Sequence, residues 1–283
     1  MTERRLGILH PGQMGISIAA SAQNSGNQVH WASEERSEAT RARAGEHGLT
    51  DAGTLDRLCE LCPVLVSVCP PAAAEDLAQQ VLALGFNGLY IDANAIAPQR
   101  AKRIDQAMAE AGASFVDGGI IGGPAWKPNS TWLHLSGAKA AKAASYFASG
   151  PLETNIVGDE IGQASALKMC FAAYTKGSTA LLCAIVAAAD DLGVSDALNQ
   201  QWSQNGSDFA EATERRVRGV TAKAWRFVGE MEEIAATLEG AGVPGGFHQA
   251  AADVYSRSAG FKDAQETPPL DAGVESLLQK AGD

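Results

Sequence analysis

The sequence predicts an α/β chain in two parts: a doubly wound sheet with flanking helices over residues 1–158, followed by an all-α part over residues 159–283. Three observations lead to this prediction. Short apolar runs alternate with alanine-rich segments between residues 5 and about 120, which is typical of βαβ units and therefore of a parallel sheet with right-handed crossovers. The first apolar run ends in a glycine-containing turn, and the strand patterns stop after Gly158.

The predicted strands are runs of β-branched and large apolar residues between turn residues. They are RLGILH, VHWAS, PVLVSVCP, GLYIDAN and ASFVDGGIIGG, with WLHLSG and TNIVG as two further strands. Helices are predicted between them over Gly12–Ser25, Asp76–Leu84, Pro98–Ala111 and Ala138–Phe147.

A long helix is predicted to open the second part. Residues Glu160–Leu192 contain no proline, and apolar residues recur there at helical spacing, at Leu167, Phe171, Leu181, Leu182 and Ile185. One helix of this length spans roughly 50 Å. Further helices are predicted at Ala197–Trp202, Ala222–Gly240 and Phe247–Ser258, and the residues from about Asp271 are predicted to form a loosely held tail.

Composition narrows the class of protein. Hydrophobic residues make up 46% of the 283 residues and charged residues 19%, which is the balance of a globular chain. The net charge of −11 argues against a nucleic acid or an anionic membrane as partner, since both attract basic surfaces. The five cysteines follow no secretory disulfide pattern, and the run Ala180–Ala189 is half the length of a membrane span. We therefore expect a cytoplasmic protein.

The turn after the first strand predicts a phosphate-binding loop. The sequence HPGQMG places Gly12 and Gly15 where the G-x-G-x-x-G pattern has its second and third glycines, with His10 at the first. Gly12 lets a pyrophosphate approach the backbone, and the helix N-terminus attracts its charge. We expect His10, Pro11, Gly12, Gln13 and Met14 to contact a dinucleotide. The alternative is an ordinary strand–helix turn.

The end of the second strand bears on which dinucleotide binds. Ser33 stands where NAD-binding chains carry an acidic residue for the ribose hydroxyls, and Arg36 and Ser37 follow. A small residue with a nearby arginine accepts the 2′-phosphate of NADP. We predict NADP, with NAD as the alternative if these arginines belong to a solvated helix start.

With these segments in order, the chain resembles the 6-phosphogluconate and 3-hydroxyisobutyrate dehydrogenase superfamily, the β-hydroxyacid dehydrogenases. GILHPGQMG is similar to that family's GLGxMG start, LVSVCPP to its cofactor loop, and YIDANAIAP to its segment beside the nicotinamide. FVDGGIIGGP is similar to its substrate loop, DAPVSGG, and GQASALKMCFAAY to its catalytic helix, GxxxKxxxN. The C-terminal part is similar to a short helical branch whose substrate is unassigned.

The resemblance implies roles for particular residues. Cys69, Pro70 and Asn94 would lie along the cofactor, Gly122 and Gly123 would bind substrate, and Lys168 would be the catalytic residue. Amines in apolar clefts have lowered pKa values, which suits general acid–base chemistry. The alternative is a surface lysine on an amphipathic helix.

Three departures from the family pattern put its usual substrates in doubt. Ile121 replaces the serine of the substrate loop, and Ala172 replaces the asparagine four residues after the lysine. The family's later Lys-Asp pair near the cofactor has no clean counterpart, and Glu230 is our best placement for its aspartate. We expect Tyr174 and its polar neighbours to supply part of the missing substrate contacts.

The leading hypothesis is an NADP-dependent oxidoreductase acting on a small hydroxyacid or related hydroxy compound. An imine reductase on the same scaffold is a variant, although that branch usually lacks the lysine. The hypothesis from another class is a catalytically altered dinucleotide-binding regulatory module. We expect a homodimer through the apolar C-terminal helices. We predict no metal site, since the Cys59–Cys62 pair has no second ligand pair.

Overall fold

The computed structural model describes residues 4–262, 264 and 266–278, and these divide between two compact units, Met1–Met169 and Cys170–Asp283. The first unit is an α/β layer structure and the second is helical. The strands are β1 (Arg4–Ile8), β2 (Asn27–Trp31), β3 (Thr50–Asp51), β4 (Val64–Ser67), β5 (Leu89–Asp92), β6 (Ser114–Gly122), β7 (Thr131–Ser136) and β8 (Leu152–Gly158). The helices of the first unit are α1 (Gln13–Asn24), α2 (Glu38–Glu46), α3 (Leu55–Leu61), α4 (Ala74–Ala83), α5 (Pro98–Glu110) and α6 (Ala140–Ala144).

The strands form one sheet in the order β3-β2-β1-β4-β5-β6-β7-β8. Strands β1 to β6 are parallel, β7 is antiparallel to β6, and β8 is parallel to β7. The prediction of a doubly wound α/β half is confirmed, and β1 to β6 are parallel as the alternation of strands and helices predicted, whereas β7 runs in the opposite direction. A short loop joins β6 directly to β7, and such a connection can form only an antiparallel neighbour.

The central strands are buried along their whole length. Every residue of β4 and β5 is buried, because helices cover both faces of a doubly wound sheet. This explains why these strands read as continuous apolar runs and were predicted close to their observed bounds.

The segment between β2 and β4 contains elements that the sequence analysis missed. Helix α2 has the sequence EATRARAGE and buries one residue, Ala44, so it shows no apolar periodicity. Strand β3 has two exposed residues. Neither carries the burial pattern on which sequence-based assignment depends.

Helix α7 (Gln163–Asp191) leads from the first unit into the second, close to the predicted Glu160–Leu192. Within the described residues it is the one helix long and apolar enough to cross a bilayer. Of its most apolar 18-residue stretch, 33% is buried. In the second unit, Arg216 donates hydrogen bonds to Thr175 O, Ser178 Oγ and Thr179 Oγ1 on this helix. These contacts join the middle of α7 to the helix that carries Arg216.

The second unit also contains α8 (Ser195–Trp202), α9 (Phe209–Thr221), α10 (Val228–Gly240), α11 (Gly246–Ser256) and α12 (Leu270–Leu278). Three elements differ from the prediction here. Helix α9 was not predicted, and the predicted helix Ala222–Gly240 begins instead with a 3₁₀ turn before α10. Residues 271–278 of the predicted tail belong to helix α12, which buries Val274 and Leu277 and packs on α9 with Gly273 against Thr221, and the rest of the tail lies outside the described residues.

Candidate cofactor and substrate site

The predicted cofactor segments share one edge of the sheet. Strands β1, β4, β5 and β6 are parallel, so the loops after them leave from the same edge. These loops carry the predicted residues His10–Met14, Cys69–Pro70, Asn94 and Gly122–Gly123. The strand order reverses between β1 and β4, and ligands of open α/β sheets bind in the crevice beyond the strand ends at such a reversal.

The loop after β1 fits a pyrophosphate. A Cβ on Gly15 would lie 2.0 Å from the carbonyl oxygen of His10, so helix α1 abuts the loop as closely as glycine allows. A Cβ on Gly12 would meet no described heavy atom within 4 Å. Gly12 is the N-cap of α1, and no side chain of the described residues caps this helix. The free N–H groups and the helix dipole therefore point into open space beside Gly12.

Two arginines bring positive charge to this loop. Arg36 Nη2 donates to Leu9 O and Arg43 Nη1 donates to Pro11 O, each at 3.3 Å. His10 contributes no charge at neutral pH, because burial, with the nearby Arg36, lowers its pKa to about 4. Arg43 was noted in the sequence but was not predicted as a site residue.

The other predicted loop residues occupy different positions. Pro11 is buried, Met14 packs against the sheet core, and Gln13 is exposed at the start of α1. Ser33 is 8% exposed, and its carbonyl accepts a hydrogen bond from the backbone N–H of Arg36. The exposed Glu34 and Glu35 follow it at the sheet edge.

Asn94 links the loops after β4 and β5. Its Oδ1 accepts from the backbone N–H of Cys69 at 2.6 Å, and its Nδ2 donates to Ser67 Oγ at 3.0 Å and to Asp92 Oδ2 at 2.9 Å. The side chain is 2% exposed. These contacts favour a role in holding the two loops rather than one in touching a ligand. Burial raises the pKa of the Cys69 thiol to about 12, so that thiol stays protonated.

A row of buried polar residues crosses the sheet beneath this edge. Ser67, Asp92, Asp117 and Ser136 are successive register partners on β4, β5, β6 and β7. All four are at most 1% exposed. Paired residues of neighbouring strands point to the same face, so the row lies on one side of the sheet.

Asp117 binds the first turn of α7. Its Oδ2 accepts hydrogen bonds from Ser136 Oγ at 2.9 Å and from the backbone N–H groups of Gly162 and Ser165 at 3.0 Å each. Its Oδ1 accepts from Ser165 Oγ at 2.5 Å. Ser136 Oγ accepts in turn from the N–H of Ala164. A carboxylate at a helix N-terminus satisfies donors that lack intrahelical partners.

Lys168 lies on α7 one turn after the residues that Asp117 binds, and it packs against β6. A Cβ on Gly119 would be 2.8 Å from Lys168 Cβ and 2.7 Å from Ala164 O. Gly119 follows Asp117 by two residues and so points to the same face of the sheet. Lys168 is half-buried, and the helix that carries it is in close contact with β6, the strand that leads to Gly122 and Gly123.

The predicted substrate residues differ in how the fold uses them. Gly122 has φ +125°, and a Cβ there would lie 2.4 Å from Ser130 O, so the turn itself requires glycine. A Cβ on Gly123 would meet no described atom within 4 Å, and Gly123 O accepts from Thr131 Oγ1. Tyr174 lies on α7 in the second unit and is 76% exposed.

Glu230 has a partner within the second unit. It forms an ion pair with Lys176, whose Nζ also lies 4.2 Å from the centre of the Phe227 ring. Both charged side chains are largely buried. This pairing accounts for Glu230 without a cofactor.

Sequence reasoning missed Asp117, Gly119 and Ser165. Asp117 stands in the predicted substrate loop, and Ser165 stands at the start of the predicted catalytic helix. A hydroxyl residue in a first turn and an acidic residue inside an apolar strand were the available signals. Their pairing spans 48 residues, which no local pattern reveals.

The strand order, the glycine turn and the uncapped helix N-terminus define a dinucleotide-binding protein with a Rossmann-type first half. Comparison with family models agrees. The NAD binding domain of 6-phosphogluconate dehydrogenase matches residues 5–147, just over half of the chain, and a domain of unknown function (DUF1932) matches residues 189–258. The chain therefore belongs to the family of proteins that carry the NAD binding domain of 6-phosphogluconate dehydrogenase.

Individual relatives extend this likeness over most of the chain. An uncharacterized 28.5 kDa protein of Methanothermus fervidus is 25% identical over 231 residues, which cover 81% of this chain and 89% of that protein. A conserved protein with structural similarity to 3-hydroxyacid dehydrogenases is 28% identical, with a TM-score of 0.65 over 91% of this chain and 98% of that chain. The 3-hydroxyisobutyrate dehydrogenase of Mycobacterium tuberculosis, solved with L-serine, has the same fold, with a TM-score of 0.69 at 15% identity over 98% of this chain and 100% of that chain.

Proposed function

We propose that this protein is an NADP-dependent oxidoreductase that transfers hydride to or from a small hydroxyacid or related hydroxy compound, with Lys168 as the general acid–base. The observation that carries the proposal is the close contact between Lys168 and Gly119. It fixes an amine-bearing side chain to the strand whose end adjoins the predicted nicotinamide loops.

The cofactor would be held by backbone groups and arginines. The N–H groups at the start of α1 would bind the pyrophosphate beside Gly12. The guanidinium groups of Arg36 and Arg43 reach the carbonyls of this loop, and they support a 2′-phosphate nearby. Asn94 would keep the loops after β4 and β5 in register along the cofactor.

Lys168 would manage the proton. The nicotinamide, when bound, supplies or accepts the hydride. A neutral amine takes the alcohol proton during oxidation, and an ammonium returns it to the oxygen during reduction. Ile121 replaces the serine of the family's substrate loop, so one polar contact to a substrate carboxylate would be missing, and other groups would have to bind that end of the substrate.

The proposal is tested by a spectrophotometric screen of hydroxyacids, hydroxy compounds, aldehydes and imines with NADPH and NADH. Once a substrate is found, we expect Lys168→Met to bind NADPH as the parent does and to lose turnover by roughly a hundredfold, the usual scale for a general acid–base group. The pH profile should also lose the limb that reports the amine. The control is Lys223→Met, an exposed residue just before the 3₁₀ turn that precedes α10 in the second unit.

Three outcomes would contradict the proposal. Turnover of Lys168→Met within a few-fold of the parent would remove the catalytic role of the lysine, and turnover confined to imines would favour the imine reductase alternative. Tight NADPH binding without turnover of any compound would favour a regulatory dinucleotide-binding module, which the replacements Ile121 and Ala172 also suit.

A further inference from the structure

We propose that Asp117 and Gly119 of β6 are positioning residues for Lys168: Asp117 clamps the first turn of α7 to the strand, and Gly119 lets the second turn approach it. This inference rests on the acid–base role proposed above. Neither residue touches the reacting atoms. Both act through the position of the helix that carries the amine.

The clamp determines where α7 begins. The Asp117 carboxylate is 1% exposed and accepts from two backbone N–H groups of the helix start and from the Ser165 hydroxyl. Ser136 adds a second link, since its hydroxyl donates to Asp117 and accepts from Ala164 N. The carboxylate lies in a row of paired strands, so its own position is set by the sheet register. The start of α7 is therefore tied to β6 and β7 through charge-assisted hydrogen bonds.

Gly119 determines how close the next turn comes. An added Cβ would stand 2.7 Å from the backbone oxygen of Ala164 and 2.8 Å from Lys168 Cβ, whereas ordinary contact begins near 3.4 Å. The first obstacle is backbone, which no side-chain rotation can relieve. A methyl group at Gly119 would thus push the first two turns of α7 away from the strand by roughly an ångström, a displacement that can cost a reacting group on the order of a hundredfold in rate.

The two contacts constrain the helix at successive turns. Ser165 and Lys168 are three residues apart and so lie on the same side of α7. Asp117 and Gly119 are two residues apart on the same face of β6. Two points of contact between a helix and a strand fix both the distance and the direction of the helix. The Cα of Lys168, from which the amine-bearing side chain extends, is therefore held at one defined position relative to the end of β6.

The central test is the pair Gly119→Ala and Ser165→Ala. We expect each variant to bind NADPH within about twofold of the parent, and we expect kcat to fall by roughly ten- to a hundredfold for Gly119→Ala and severalfold for Ser165→Ala. If both variants act through the lysine, adding either change to Lys168→Met should lower turnover no further. If Gly119→Ala fails to fold, Ser165→Ala alone decides, because it removes one hydroxyl and keeps the backbone donors.

Matched controls are available in the chain. Gly219→Ala lies in helix α9, where an added Cβ would meet no described atom within 4 Å. Ser21→Ala removes a fully buried hydroxyl that has no hydrogen-bond partner among the described residues. Both controls should keep the parent kcat.

A second readout does not depend on turnover. The readout is the NMR spectrum of the NADPH-saturated protein labelled with ¹³C-lysine. The signal of Lys168 is assigned as the one that is absent from the spectrum of Lys168→Met. We expect its chemical shift and its titration midpoint to change in Gly119→Ala and Ser165→Ala, and to stay unchanged in Gly219→Ala and Ser21→Ala.

The outcomes separate this inference from the function on which it rests. If Lys168→Met keeps its turnover, the proposed function fails, and the positioning role fails with it. If Lys168→Met is inactive while Gly119→Ala and Ser165→Ala keep kcat and the parent lysine signal, the function stands and the positioning role is wrong. The positioning role would also be wrong if Gly119→Ala or Ser165→Ala lowered the turnover of Lys168→Met by the same factor as it lowers that of the parent.

Discussion

Two buried carboxyl groups lie side by side in the sheet, and the residues around them differ. Asp117 accepts from donors of β7 and α7, whereas Asp92 accepts from the backbone and side chain of Asn94. Burial and the neighbouring Asp117 raise the pKa of Asp92 to about 7, against the hydrogen bonds from Asn94. Asp92, at the end of β5 just before the predicted nicotinamide loop, therefore titrates near neutral pH.

The first residue-scale prediction concerns stability and pH. An unfolded aspartate titrates near pH 3.9, so between about pH 4 and pH 7 the native chain holds a proton at Asp92 that the unfolded chain has released. The free energy of unfolding should therefore fall as pH rises through this window. Asp92→Asn removes this contribution, so its stability relative to the parent should improve between pH 5 and pH 8 in urea titrations. The exposed Asp56→Asn is the control. A stability difference independent of pH would show that Asp92 does not titrate in this range.

The second residue-scale prediction concerns cofactor choice. We expect the parent to bind NADPH at least tenfold more tightly than NADH, about 1.4 kcal/mol, because Ser33 stands where NAD-binding chains have an acidic residue and Arg36 lies beside the phosphate loop. Arg36→Ala should weaken NADPH and leave NADH nearly unchanged in fluorescence titrations. Arg57→Ala, at an exposed position of α3, is the control. Equal affinities in the parent would contradict the prediction.

At the scale of elements, α1 combines two glycines with different duties. Gly15 allows the helix to pack on the backbone of His10, and Gly12 leaves open space at the helix N-terminus. The first duty belongs to folding and the second to ligand binding. The glycine pattern of the sequence does not distinguish them, whereas the contacts do.

These duties predict opposite phenotypes for two equal substitutions. Gly15→Ala places a methyl group 2.0 Å from a backbone oxygen, so it should lower the melting temperature by several degrees or more. Gly12→Ala meets no described atom within 4 Å and has φ −70°, so its stability should stay within about 1 kcal/mol of the parent. Its methyl group would occupy the space for the pyrophosphate, so NADPH affinity should fall at least tenfold. Parent-like NADPH affinity in Gly12→Ala would place the phosphates elsewhere.

At the scale of the whole molecule, the second unit leaves apolar surface exposed. Phe171, Leu181, Leu192 and Val194 have exposed fractions of 47%, 46%, 72% and 46%. Large exposed apolar patches mark association surfaces more often than free surface. This exposure supports the homodimer expected from the sequence.

We expect a dimer mass by light scattering at low micromolar concentration, with an interface of about 800 Å² or more per partner. Leu181→Asp places a charge in the apolar stretch and should shift the mass to that of a monomer. Leu84→Asp, an exposed leucine of the first unit, is the control and should leave the dimer intact. A monomeric parent, or equal behaviour of the two variants, would contradict this assembly.

The sequence by itself determined the alternation of strands and helices, the two-part organisation, the long helix α7, the glycines of the phosphate loop and the candidate lysine. Each of these depends on neighbours within a few residues, where periodicity and turn chemistry leave a readable pattern. Helix α12 was mistaken for a loose tail because its stability comes from α9, about 50 residues away in the chain. The sequence did not reveal that β7 and β8 run opposite to the other strands, because the pattern of a strand does not encode its direction and the connection from β6 to β7 sets it.

The tertiary structure alone decided which residues act together. Asp117 and Ser165 are 48 positions apart, Asn94 and Cys69 are 25 apart, and Arg43 and Pro11 are 32 apart. Hydrogen bonds and close packing depend on distance in space, and the fold sets that distance only after the sheet register is complete. The lysine was visible in the sequence because a short motif surrounds it, whereas the carboxylate and the glycine that hold it became visible only when β6 met α7.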